Sequence, residues 1–142
     1  MVLSSQVGKR KSNLMNNNLN ILFFKLMHGQ KKLYYSVMVP YCKANLGVLR
    51  VLVQQGYIFG FRIVQKTKQL NQIKIILSRQ ITKISQIRRI SKSSCRKYYQ
   101  KKKLTKSKDK SNCILISTPL GILSGQEALS LNVGGEILFE IF

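Results

Sequence analysis

The chain has 142 residues, 44% of them hydrophobic, and a formal net charge of +21 from 25 basic side chains and four acids. That length allows one ordinary domain or two small lobes, and the apolar content excludes a disordered basic tail. So large an excess of positive charge repels itself unless a polyanion neutralises it, and nucleic acid fits better than a membrane because no basic amphipathic helix or apolar anchor stands out.

Residues 1–16 are basic and rich in Asn and Ser, and read as a short flexible arm without the features of a secretory signal. Leu19, Leu22, Phe23 and Leu26 then recur at helical spacing, which predicts a helix over 18–28 between the Asn16–Asn18 caps and a stop at Gly29. Its apolar stretch, LNILFFKLM, is too short to span a bilayer and contains Lys25. KKLYYSVMVP reads as a strand ended by Pro40. A second helix follows over about 42–55, closed by Gly56. YIFGFRIVQ and IKIILSR form a hairpin around a polar turn. The first lobe is therefore α-β-α-β-β over residues 17–80, after the arm.

Residues 81–142 make the second lobe, mostly β with one short helix. ITKISQIRRIS fits helix or strand by period, and the preceding strand favours an extended or irregular form. CRKYYQ suggests a short strand, KKKLTKSKDKSN a solvated loop, CILIST a buried strand, SGQEALSL a short helix or turn, and GEILFEIF a terminal strand. The fold class expected is α+β in two small lobes.

Catalysis finds no footing. Cys42, Cys95 and Cys113 are widely spaced, His28 has no companion at ligand spacing, and NVGGEI lacks the G-K-[ST] of a phosphate loop. No enzyme activity, metal or cofactor is expected. Basic residues recur instead in four places, Lys9–Lys11, Lys31–Lys32, Arg88–Arg89 and Lys101–Lys110, as on a folded domain lying along phosphates. Tyr98 and Tyr99 sit among them, where a ring could stack on a base or fill core.

From Ser111 to Phe142 there is no Lys or Arg, and three of the four acids, Glu127, Glu136 and Glu140, fall there. Lysines give affinity but little selectivity. Hydroxyls such as Ser117 and Thr118, and Gly134-Gly135, which lets backbone approach closely, suit the reading of RNA shape; a plain turn with a helix cap accounts for them equally well.

ISTPLGILSGQEALSLNVGGEIL resembles the C-terminal motif of small-subunit ribosomal protein eight, in which a Ser-Thr-Ser-x-Gly loop precedes a Gly-Gly-Glu strand start. KLMHGQ, VPYCKANLGVLRVLVQQGYI and IRRISKSSCRKYY follow the family's order, so the resemblance covers roughly residues 17–142. It departs at Pro119 in place of the second Ser, at Ser93-Ser94 in place of Pro-Gly, and at Cys42 in place of a Ser. The resemblance implies a structural, two-domain α/β protein that binds the central domain of small-subunit ribosomal RNA early in assembly, beside other small-subunit proteins. Carried over by position, the RNA-binding residues are Lys43, Arg96, Tyr98, Ser117, Thr118, Gly134, Gly135 and Glu136.

A generic nucleic-acid-packaging protein and a peripheral membrane protein are the competing classes. The choice of Lys over Arg, the many Ile and Asn and the two Ala suggest AT-rich coding, and with it an organelle: a mitochondrion, with a plastid as alternative.

Overall fold

A computed structural model describes residues 2–67, 70–77, 84–92, 94–99 and 113–142. The expected lysine loop at 101–112 and the start of the isoleucine stretch, at 81–83, lie outside the described residues. Helices and antiparallel sheets alternate in an α+β arrangement: α1 (Val2–Lys31), β1 (Ser36–Pro40), α2 (Lys43–Gln54), β2 (Gly60–Thr67), β3 (Leu70–Ile76), β4 (Ile87–Arg89), β5 (Tyr98–Tyr99), β6 (Cys113–Thr118), β7 (Gly121–Ser124), α3 (Gly125–Ser130) and β8 (Gly135–Ile141). The chain divides into two compact units, Met1–Leu46 with Ile58–Arg79, and Gly47–Tyr57 with Gln80–Phe142.

In the first unit β3 lies between β1 and β2, antiparallel to both. Among the described residues, Leu19, Leu22, Phe23 and Leu26 form a buried stripe on α1, and Val39, Ile73 and Ile75 are buried on the strands. Burying each Leu contributes about 2 kcal/mol. The helix neither starts nor stops where the sequence suggested. It runs through Asn16–Asn18 and past Gly29, and ends in a Schellman motif in which Leu33 donates to Gln30 and Tyr34 to Gly29. Gly29 serves packing instead: a Cβ there would meet Val37 at 2.7 Å and Leu77 at 2.8 Å. Gly56, at φ 76°, does close α2 as expected.

At the head of α2 the Cys42 sulfur accepts from the Asn45 N–H at 3.3 Å, and the Cys42 carbonyl accepts from Leu46, so Cys42 is the N-cap. Asn45 is buried and its amide donates to the Pro40 carbonyl at 2.8 Å, tying the helix start to the end of β1.

The second unit is built around β8. It pairs with β6 on one edge and, on the other, with β4 and β5 at different points along its length; β7 lies beyond β6. β7 was not expected from the sequence. Ile116 and Ala128 are the buried centre of a cluster joined by Ile114, Leu123, Val133 and Ile137. Cys113 and Leu115 alternate with them and face the other way, as do Phe139 and Ile141, opposite Leu115 and Cys113. Burial foremost, and then the charge of Glu127, pushes the Cys113 thiol up to about 11. The short α3 opens with a capping box: Ser124 accepts from the Glu127 N–H and the Glu127 carboxylate accepts from the Ser124 N–H at 2.9 Å.

Candidate nucleic-acid interface

The register of the second sheet places three of the expected residues in one row. Tyr98 on β5 stands opposite Glu136 on β8, and Glu136 opposite Ser117 on β6. Directly paired residues share a face, and two strand spacings separate the ends of the row by about 10 Å. A ring, a carboxylate and a hydroxyl are thus presented side by side. Tyr98 is 67% exposed, and Glu136 and Ser117 are half-buried. Among the described residues, no hydrogen bond or ion pair engages these three side chains. On the far side of Ser117, Ile122 of β7 continues the row and packs against Gly47 of α2, where a Cβ would stand 3.2 Å from Ile122.

Gly135 sets the depth of this surface. A Cβ at that position would land on the carbonyl oxygen of Ser117, with its carbonyl carbon 2.8 Å away. Only glycine lets β8 draw so close to β6 beside the row. Gly134, exposed, precedes it. The strand start itself follows a second Schellman stop, in which Asn132 at φ 60° donates to Leu129 and Val133 donates to Ala128.

Thr118 does something other than face outward. It is 8% exposed; its hydroxyl donates to the Gly121 carbonyl at 2.8 Å and accepts from the Leu120 N–H at 3.2 Å. The hydroxyl therefore shapes the turn from β6 to β7. Pro119 occupies the second position of that four-residue turn, where its fixed φ is welcome.

Arg96 and Tyr98 are held by a residue that the sequence did not single out. Ser91 is buried, its hydroxyl accepts from the Lys97 N–H at 2.9 Å, and Lys97 in turn accepts from the Ile137 N–H at 2.9 Å. Lys92 and Cys95 exchange two backbone hydrogen bonds, closing a tight reversal before Arg96. Ser91 lay in the motif IRRISKSSCRKYY, but a serine in a basic segment gives no sign of pointing inward. Arg96 is exposed one residue before this anchor. Lys43, the first residue of α2, belongs to the first unit and is exposed.

The acids of the tail have separate uses. Glu127 caps α3, Glu136 sits in the row, and Glu140 stands opposite Arg88 on β4. Among the described residues, no three metal-binding side chains gather, and no helix is long and apolar enough to cross a membrane.

The family model for Ribosomal protein S8 matches residues 17–142. The chain is 33% identical over 134 residues to small ribosomal subunit protein uS8c of Bigelowiella natans, covering 90% of this chain and 100% of that protein. It is 35% identical over 130 residues to uS8 of Novosphingobium aromaticivorans, covering 90% and 98%. To uS8 of Alcanivorax borkumensis it is 28% identical over 127 residues, covering 89% and 98%.

Proposed function

The chain belongs to the ribosomal protein S8 family, whose members are structural proteins of the small ribosomal subunit rather than enzymes, and we propose that it binds the central domain of small-subunit ribosomal RNA and supports subunit assembly. The observation that carries this reading is the row Tyr98–Glu136–Ser117, held at its depth by Gly135. Tyr98 offers a face to a base or sugar, Glu136 an acceptor for a base amino group, and Ser117 a donor and acceptor for a 2′-hydroxyl. Arg96 and Lys43 supply phosphate contacts. Gly134 leaves room for the RNA backbone, Gly135 contributes by letting β8 approach β6 beside the row, and Thr118 contributes through the turn it holds.

In this reading the RNA-binding lobe is residues 81–142, the α/β lobe residues 17–80, and residues 1–16 a basic arm. Neighbouring small-subunit proteins are the other partners. The coding bias toward Lys, Ile and Asn supports work on a mitochondrial ribosome, with a plastid ribosome as alternative. The test is a competition between a central-domain transcript and random duplex RNA for the full chain at fixed salt. Preference for the transcript, lost on Ser117→Ala, supports the reading. Equal binding to DNA and to both RNAs would make it a packaging protein.

A further inference from the structure

The first unit carries an aromatic cleft that the proposed interface does not use. Phe24 and His28, one turn apart on α1, lie with ring centroids 6.0 Å apart and planes within 11°. Tyr34 stands edge-on to His28, at 6.2 Å and 69°. These rings, with Lys25, Ser36 and Met38, line a cleft of about 310 Å³ between α1 and β1, at the small end of the range for ligand sites. Phe24 is 71% exposed and Tyr34 48%. Rings so open to water, gathered in one place, mark a contact surface.

The backbone is bent to make this corner. Leu33 lies at φ 57°, the left-handed region that costs a non-glycine residue about 1 kcal/mol or more. The turn it forms returns Tyr34 to the helix, where the Tyr34 N–H donates to Gly29 at 2.9 Å. Strain held at a non-glycine stop beside an open ring cluster fits a functional constraint. The outer edge of β1 closes the other side. It is an edge strand, and Met38 turns its carbonyl outward to accept from the Lys25 ammonium at 2.7 Å. The Met38 N–H and the backbone groups of Ser36 face the same way, because backbone direction alternates along a strand.

The charge around the cleft chooses its occupant. All four acids lie outside Met1–Leu46 and Ile58–Arg79, so this unit is purely cationic. Lys31, the last residue of α1, and Lys32, whose N–H donates to the His28 carbonyl just past the helix end, are both exposed and follow His28 by three and four residues. Flat rings, outward backbone donors and acceptors, and two exposed cations match one ligand: a planar base with phosphates on either side.

We propose that this cleft is a second RNA contact, a stacking site for one unpaired nucleotide of an RNA chain, with Lys31 and Lys32 on the flanking phosphates. It rests on the RNA-binding reading above, yet it involves a different unit and different residues. The base lies against the Phe24 and Tyr34 rings, and its polar edge meets the open edge of β1.

The full chain is tested with a uridylate hexamer carrying one 4-thiouridine. Photo-crosslinking followed by peptide mapping should concentrate adducts between Phe24 and Tyr34. Phe24→Leu with Tyr34→Leu should weaken hexamer binding roughly tenfold and leave the salt slope unchanged. Lys31→Gln with Lys32→Gln should flatten that slope. Adducts spread over the basic segments, with the double leucine variant binding as the parent does, overturn the proposal. So does equal protection by free uridine monophosphate, which would make the cleft a mononucleotide site. Loss of a co-assembling ribosomal protein with hexamer binding intact would make it a protein dock, and overturns it as well. Preference for the central-domain transcript is measured in parallel on the parent: its absence strikes the RNA-binding reading itself, whereas the outcomes above strike the cleft alone.

Discussion

Ser117 and Thr118 are chemically similar neighbours on a strand, and alternation sends their hydroxyls to opposite faces. The sequence showed two hydroxyls in the right motif, but which of them looks outward depends on the register with β8. Ser117→Ala should leave thermal stability unchanged and weaken binding to the central-domain transcript by about 1–3 kcal/mol, if the contact it removes is desolvated. Thr118→Val should instead cost about 1 kcal/mol of folding stability, because the Leu120 N–H loses its acceptor; urea titration separates the two. Gly135→Ala pushes a methyl onto the Ser117 carbonyl and should destabilise by about 1–3 kcal/mol. The glycine pair and both strands were visible in the sequence, whereas the pairing of β8 with β6 that makes Gly135 indispensable was not. The thiols give a pH test. The folded value of Cys113, about 11, lies above its reference of 9.0. As pH rises the unfolded chain therefore loses the proton first. The stability contributed by the protonated thiol is intact below pH 9 and is lost as pH climbs through 11. A thiol reagent at pH 8 should label exposed Cys95 well before buried Cys113, and Cys113→Ala should soften the alkaline loss of stability; equal labelling rates would refute the burial argument.

Among the elements, those with a strong period or firm punctuation were legible: the stripe Leu19–Leu26, the strand before Pro40, the helix closed by Gly56, and the runs CILIST and GEILFEIF. The boundaries of α1 were not. Asn at 16–18 can cap a helix or sit inside one, and continued backbone hydrogen bonding decides between the two. Gly29 looked like a stop but is a contact point. The true stop is Leu33, a residue with no propensity for the left-handed region. β7 escaped notice because four residues, GILS, are too short to show alternation. Two caps are open to improvement. Sulfur is a weak acceptor, so Cys42→Ser should raise stability by about 0.5–1 kcal/mol through a better N-cap. Leu33→Gly should relieve about 1 kcal/mol of backbone strain, partly offset by the greater freedom of the unfolded chain. A fall in the denaturation midpoint for Cys42→Ser would show that the thiol contact is not the cap described.

At the scale of the whole molecule, charge dominates. Binding to any RNA should weaken steeply between about 50 and 200 mM salt, because each neutralised phosphate releases counterions. Neutralising Lys101, Lys102 and Lys103 should flatten that dependence and lower cognate and random affinity alike. If discrimination collapses while the slope holds, the lysines read sequence and the tail does not. One feature of the architecture bears on how such a protein comes into being. β8 is central to its sheet although β4, β5, β6 and β7 all precede it in the chain. During synthesis those strands emerge with no partner for β4 and β5 and half of the partners for β6. Their apolar faces and strand edges stay open until β8 leaves the exit tunnel, the interval in which nascent chains are most exposed to aggregation. The tyrosine and the serine of the reading row become neighbours only when the glutamate that lies between them arrives. A nascent chain arrested before Gly135 would still carry its cationic segments but no assembled row, so it could adhere to RNA without selecting its site.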